Sequence, residues 1–365
     1  MTLAHAAVLV APRDLQLREI AVPVVEAGTG ILRVEACGLC GSDYEQWLGT
    51  EESHRAKMPI IPGHEIIGVI EDAGEQALRE WGMQAGQRVA VEGVIPCGHC
   101  PSCIAGVAKR CSRQRGYGIR LGLNAAPGLW GGYATHLHLE SGSLLHKLPT
   151  DLPAALMVMF NPLSNAVRWT CEVGGVGLGD TVAILGPGQR GLLSVVAARE
   201  AGARTIIVTG TARDRARLNL AASLGASATV VVDEDDPVTV ARDLTGGRGV
   251  DVVVDVSHGS TQPVLQAVDM VRPGGRIVLG GLKHKPVDGF ASDLLAYKEV
   301  TMTGVFSAGW SAIETAIQIL ERRADELGVL ATHSFRLEDA AKGVRTLGRE
   351  VSDGTEPICV HLATA

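Results

Sequence analysis

One stretch of 29 residues restricts the fold more than any other. Residues 181 to 209 read TVAILGPGQRGLLSVVAAREAGARTIIVT: an apolar run, a glycine turn, a helix-patterned segment and a second apolar run. Gly186, Gly188 and Gly191 form GxGxxG where the first run meets the helix. In that setting the first glycine permits the turn, the second lets a pyrophosphate approach the backbone, and the third lets helix pack on strand. The phosphates would meet the helix N-terminus, where free N–H groups and the dipole favour anions. An ordinary glycine turn is the plainer alternative, but it leaves the order strand, turn, helix, strand unexplained. A dinucleotide site at Gly186, Gly188, Gln189, Arg190 and Gly191 is therefore expected.

The neighbouring sequence extends the pattern. ATVVV, VDVVVDV and GRIVLGG follow as further apolar runs separated by helix-like segments, as in a parallel sheet covered on both faces, so the fold class is α/β with a doubly wound domain. Before it, AVLV, GILRVEA, EIIGVIE and RVAVEG are short strand-like runs broken by glycine and proline, which makes the first part β-rich. With 365 residues, the chain exceeds the size at which one core stops growing. The expected division is 1–155, 156–298 and 299–365. The last segment, in which AIETAIQILERR places Ile313, Ala316, Ile317 and Leu320 on one helical face, returns to the first domain.

The second strand of the dinucleotide unit is where an acid normally binds the ribose 2′-hydroxyl, but here it ends in VTG followed by TARDR. Gly210 holds that place, so nothing repels a 2′-phosphate, and Thr211, Arg213 and Arg215 lie near enough in sequence to bind one. The reading leans to NADP over NAD. The alternative is that these arginines begin a solvated helix with Asp214 pairing nearby.

A net charge of -7 excludes a basic nucleic-acid-binding face and points to small-molecule partners. The N-terminus lacks the basic region of a signal peptide, and no run approaches the roughly 20 apolar residues of a membrane span. A cytoplasmic protein is expected. There, eight cysteines are ligands rather than disulfides. PCGHCPSCIAGVAKRC supplies Cys97, Cys100, Cys103 and Cys111, four thiols that can enclose a tetrahedral zinc and leave no open position, which makes the site structural. His99 is read as an exposed loop residue. A second group, in EACGLCGSDYEQW and IPGHEIIG, brings Cys40, Ser42, Asp43, His64 and Glu65. A thiolate and an imidazole, each beside a carboxylate, suit a catalytic zinc with one position left for an alcohol or water. Cys37 is read as core.

CGLCGSD, GHE, the four-cysteine lobe and GPGQRG occur in an order and spacing that resemble the zinc-dependent medium-chain dehydrogenases of the alcohol, sorbitol and threonine dehydrogenase group. The resemblance spans essentially the whole chain. It implies a GroES-like catalytic domain built from both chain ends, with the structural zinc lobe at about 93–115, a Rossmann domain between them, and homodimers or homotetramers. It also implies that Cys40 and His64 are catalytic zinc ligands and that Glu65 can swing onto the metal. Ser42 would bond the substrate hydroxyl and start a proton relay, and Asp43 would orient His64. Several relatives carry a relay histidine where this chain has Glu45.

The remaining zinc ligand of the family, usually cysteine, aspartate or glutamate, falls where MFNPLSN offers Asn161. A neutral amide binds zinc more weakly than a carboxylate or thiolate. Asn161 coordinates through its oxygen, or Glu65 takes the position, or the site is empty. The expected function is hydride transfer between NAD(P) and a secondary or cyclic alcohol or a polyol, which includes ketone reduction. Two alternatives stand beside it: a zinc-independent reductase of an activated double bond or imine, and a catalytically silent NAD(P)-binding sensor. Trp47, Trp130 and Asn165 are pocket candidates, with packing as the competing role for the aromatics.

Overall fold

The structure, a computed structural model, describes residues 2–50, 57–113 and 115–364. Two compact units are present: Asn161–Ala316, and Met1–Phe160 together with Ile317–Ala365.

In the Asn161–Ala316 unit, the apolar runs of the sequence become strands because each can be buried on both faces. Thr181–Leu185 is buried at every residue, and Val250–Asp255 at all but one. Six strands lie in the order Ala228–Val231, Thr205–Gly210, Thr181–Leu185, Val250–Asp255, Val271–Leu279 and Thr301–Gly304, and every neighbouring pair is parallel. The chain leaves Thr181–Leu185 toward one edge and returns to build the other half, so the strand order reverses between Thr181–Leu185 and Val250–Asp255. Ligands of open parallel sheets bind outside the carboxyl ends of the strands at such a point. The unit runs past the expected end at 298, because Thr301–Gly304 pairs with Val271–Leu279 as a sixth strand. TMTG is short and half polar, so it lacks the apolar run that marks the other five.

The other unit is built on a seven-stranded sheet. Gly30–Gly38 pairs antiparallel with Glu65–Ala73, His136–Leu139 and Cys359–Ala363; Glu65–Ala73 pairs with Arg88–Val91, which pairs with Leu145–Lys147; and Ala331–Arg336 lies parallel to Cys359–Ala363. The C-terminal strand thus sits beside the strand that leads into CGLCGSD. A two-stranded ribbon, Leu3–Ala11 with Asp14–Ala21, adds Ala6, Val8 and Leu9 to a core that includes Leu32, Ile66, Ile70, Val89, Tyr133 and Leu137. Helix Trp310–Arg322 buries Ile313, Ala316, Ile317 and Leu320, the face its periodicity picks out.

Candidate active site

The three glycines of the turn are held by three different constraints. Gly186 follows strand Thr181–Leu185 with φ +101°, and a Cβ there would stand 2.9 Å from Ser257 Cα. A Cβ on Gly191 would fall 1.9 Å from the carbonyl oxygen of Gly186. Gly188 is different: it is the N-cap of helix Gln189–Glu200, no side chain caps the helix, and the atom nearest an added Cβ is Arg217 Nη1, at 3.9 Å. Two glycines therefore fit the turn to itself, and the third leaves open space before uncapped N–H groups, an arrangement that can hold a pyrophosphate. Gln189 opens the helix, and the guanidinium of Arg190 lies 5.5 Å over the Trp169 ring.

At the end of the second strand, a Cβ on Gly210 would meet Pro187 Cγ at 2.7 Å, so the turn itself fills the side-chain direction. Thr211 gives its N–H and hydroxyl to Asp214 Oδ2, at 3.1 and 2.7 Å. Arg215, expected with Thr211 and Arg213 near a 2′-phosphate, is paired at the surface with Glu234. Arg213 is exposed and stays available.

The four-cysteine lobe is closed at its base by strands Val94–Ile95 and Arg115–Gly116. Cys100 caps the short helix Pro101–Ile104, which carries Cys103, and Cys111 follows the turn Ala108–Arg110. All four sulfurs lie within 4.8 Å of one another, and none forms a disulfide. Cys100 Sγ is 3.5 Å from Cys103 Sγ, and Cys97 Sγ is 4.0 Å from the same atom. Sulfurs on a tetrahedral zinc at ~2.3 Å stand about 3.8 Å apart, so the set fits that ion. Backbone N–H groups favour the thiolate at two of the four: those of Cys103 and Ser112 draw Cys100 down to about 5, and that of His99 lowers Cys97, while burial and then Cys100 push Cys103 up to about 11. His99 is exposed, 3.2 Å from Arg113, as expected of a loop residue.

The second cluster is organised by local backbone chemistry. CGSD is a capping box: Cys40 is the N-cap of helix Gly41–Leu48, its side chain accepts the N–H of Asp43, and Asp43 Oδ2 accepts the Cys40 N–H at 2.8 Å. Asp43 Oδ1 also stands 3.6 Å from His64 Nδ1. Glu65 begins its strand opposite Gly38, where an added Cβ would lie 2.5 Å from Glu65 Oε2, so the glycine makes room for the carboxylate. The ligand atoms of Cys40, His64 and Glu65 lie within 4.8 Å of one another. Ser42 and Glu45, both half-buried, follow on the same helix three residues apart.

Cys40, Asp43 and Glu65 are each no more than 3% exposed. Acidic groups packed this way can be ionised only beside a cation. Burial works against protonating His64, yet Asp43 and then Cys40 hold its pKa well above the ordinary value. A divalent ion meets the same demand, and sulfur, nitrogen and oxygen donors with a carboxylate behind the imidazole fit zinc. Cys37 is raised well above the thiol range by burial, then by Asp43 and Glu65. Added Cβ atoms on Gly63 and Gly132 would each lie 2.6 Å from its sulfur, so it is core, as expected.

Asn161 belongs to the other unit, on helix Phe160–Val167, and its Oδ1 accepts from Asn165 Nδ2 at 3.1 Å. Trp47 and Trp130, offered as pocket walls, lie in the hydrophobic core instead, 5% and 1% exposed. Three groups escaped the sequence reading. Arg217 lies beside Gly188. The Tyr133 hydroxyl is buried and has no hydrogen-bond partner among the described residues. Lys283 Nζ, at the carboxyl edge of the parallel sheet, bonds Asp255 Oδ1, Ser257 O and Ser257 Oγ at 3.0, 2.6 and 2.8 Å. Only the helical phase after TARDR could have pointed to Arg217.

Comparison with known proteins identifies the family. A zinc-binding dehydrogenase family model matches residues 191–322, and an alcohol dehydrogenase GroES-like domain model matches residues 26–150. The chain is 38% identical over 360 residues to a protein of Mycobacterium tuberculosis named "Probable alcohol dehydrogenase adh", covering 97% of this chain and 96% of that one. It is 31% identical over 370 residues to the erythritol/L-threitol dehydrogenase of Mycolicibacterium smegmatis, covering 99% and 98%. Among solved structures, an alcohol dehydrogenase from Thermotoga maritima matches with a TM-score of 0.90 and 26% identity, all of both chains being covered. A candidate zinc-binding dehydrogenase from Sinorhizobium meliloti 1021, bound to NADP, matches with a TM-score of 0.85 and 25% identity, again over all of both chains. The capping box beneath Cys40, the carboxylate behind His64, the four-sulfur lobe and the glycine turn thus come together with relatives of the same kind, and the chain belongs to the zinc-dependent medium-chain dehydrogenase superfamily.

Proposed function

We propose that this oxidoreductase acts on the CH–OH group of a secondary alcohol or polyol, with Cys40, His64 and Glu65 holding a catalytic zinc. The observation that carries the reading is the buried group of Cys40, Asp43, His64 and Glu65, whose acidic members can be ionised only beside a cation and whose donors suit this one. When bound there, zinc would act as a Lewis acid on the alcohol oxygen, and the nicotinamide would take the hydride. Asp43 fixes the backbone of Cys40 and faces Nδ1 of His64, leaving Nε2 as the coordinating nitrogen. Ser42 Oγ accepts the substrate proton and passes on its own, with Glu45 as the next acceptor on that helix face. Gly188 and the first N–H groups of Gln189–Glu200 bind the pyrophosphate. Asn161 stays outside the ligand set, because Glu65 supplies an anionic third donor where Asn161 offers a neutral amide, already accepting from Asn165.

Two relatives, one an alcohol dehydrogenase by name and one acting on erythritol or L-threitol, support this substrate class. Eight cysteines, none in a disulfide, suit a cytoplasmic setting. Tyr297, Phe306 and Trp310 are exposed around the edge strand Thr301–Gly304, which favours a homodimer or homotetramer. The deciding experiment combines zinc counting with NAD- and NADP-linked kinetics on a panel of secondary alcohols, polyols and their ketones. Two zincs per chain and activity lost with one of them are expected. One zinc, with activity that survives chelation, would instead favour a zinc-independent reductase.

A further inference from the structure

We propose that Asp233 sets the choice between NAD and NADP, serving as the ribose-binding acid that the second strand lacks. The proposal rests on reading the Asn161–Ala316 unit as a dinucleotide site. An acid at position 210 is sterically barred, because an added Cβ there would lie 2.7 and 3.1 Å from Pro187 Cγ and Cδ. The neighbouring strand supplies one instead. Ala228–Val231 runs parallel to Thr205–Gly210, with Gly210 opposite Val231, so two residues further on Asp233 comes alongside the turn that follows Gly210. Its Oδ2 accepts the N–H of Ala212 at 2.6 Å. Among the described residues Asp233 makes no other bond, so Oδ1 is free to accept a ribose hydroxyl.

A 2′-phosphate would be handicapped at the same place. The N–H of Ala212, first residue of the short turn Ala212–Asp214, is the donor that a phosphate would use, and a carboxylate already occupies it. The phosphate would also face the negative charge of Asp233. Other donors nearby are committed: Thr211 to Asp214, and Arg215 to Glu234. Arg213 remains. The discriminating acid has moved from the end of one strand to the loop beyond its neighbour, while its chemistry, accepting from hydroxyls and repelling phosphate, is retained.

The test is a binding titration of the purified protein with NADH, NADPH, 5′-AMP and 2′,5′-ADP, followed by nucleotide fluorescence or calorimetry. Asp233→Asn keeps an acceptor for Ala212 N–H, so the loop stays in place while the charge goes. The ratio of NADPH to NADH affinity should rise at least about tenfold, with 2′,5′-ADP following NADPH and 5′-AMP following NADH. Glu234→Gln, which frees Arg215, should also raise that ratio, with NADH unchanged. If Asp233→Asn shifts both nucleotides equally, or leaves the ratio within about twofold, the assignment to Asp233 is overturned. If the wild-type protein binds neither nucleotide, the dinucleotide reading itself fails, and the proposal fails with it.

Discussion

Oδ1 of Asp43 lies 3.6 Å from Nδ1 of His64, while the other oxygen of the same carboxylate accepts the backbone N–H of Cys40 at 2.8 Å. One side chain thereby positions two proposed zinc ligands from different segments. Outer carboxylates of this kind set ring orientation and ligand basicity, and their loss typically costs about 10- to 100-fold in metal affinity. Asp43→Asn should weaken the catalytic zinc by that factor and leave the four-cysteine zinc in place. Competition with a graded series of chelators checks this; unchanged retention of both metals would remove Asp43 from the role.

Gly188 and Gly191 separate binding from folding. Gly191→Ala forces a Cβ to within 1.9 Å of the Gly186 oxygen, so the turn must move and the melting temperature should fall. Gly188→Ala meets nothing nearer than 3.9 Å, so its cost is only that of a poorer N-cap, up to about 1 kcal/mol. Its methyl occupies the space proposed for the pyrophosphate, and NADH binding should weaken at least about tenfold. Equal NADH affinity in Gly188→Ala would move the phosphate elsewhere.

What the sequence made legible was local. GPGQRG lies between a strand and its helix, the four cysteines lie in one loop, and CGSD is a single capping box, so neighbouring residues determine the geometry. What stayed hidden depends on parallel strands bringing distant loops together. Lys283 reaches Asp255 because their strands are adjacent, with Asp255 opposite Leu279, and Asp233 reaches Ala212 for the same reason. The fate of Arg215 was hidden because its partner, Glu234, lies on the loop after the next strand. Thr301–Gly304 went unread because an edge strand needs no apolar run, and Trp47 and Trp130 were ambiguous because aromatics serve cores and pockets alike.

Removing one sulfur should loosen a lobe without unfolding the chain. Cys100→Ser deletes a thiol whose pKa is drawn down to about 5 and breaks the tetrahedral set. Metal analysis should find one zinc fewer per chain, and hydrogen exchange should rise across 94–116 while the parallel sheet keeps its protection. Undiminished zinc would show that this lobe does not hold the ion.

Asp251 links stability to pH. Burial disfavours its charge, but the Thr181 N–H at 2.7 Å and the Arg272 guanidinium at 2.6 Å hold its pKa below the ordinary 3.8. A depressed carboxylate stabilises the fold above the unfolded-state value, and that contribution is lost as pH falls through the lower folded-state value. Asp251→Ala should therefore cost about 2 kcal/mol at pH 7, lowering the melting temperature of its unit by roughly 4–8 °C. The gap from wild type should hold down to about pH 4 and narrow below it. A gap of the same size at pH 3 would mean that Asp251 acts by packing rather than by charge.

Ser42 offers the sharpest check of the chemistry. It sits two residues after Cys40, half-buried, with Glu45 one turn further along the helix. A hydroxyl is too weak a base to keep the substrate proton, so its use is to accept and donate at once. Ser42→Ala removes that path and nothing else that binds cofactor. Turnover should fall by about 10²- to 10⁴-fold while NADH affinity stays within about twofold. Ser42→Thr, which retains a hydroxyl, should recover part of the loss. Glu45→Gln should shift the pH profile of turnover more than its maximum, because water can replace the outer acceptor but not the group that touches the alcohol. Full turnover in Ser42→Ala would place the proton's exit elsewhere, and equal loss in Ser42→Thr would mean that Ser42 shapes the site without carrying the proton.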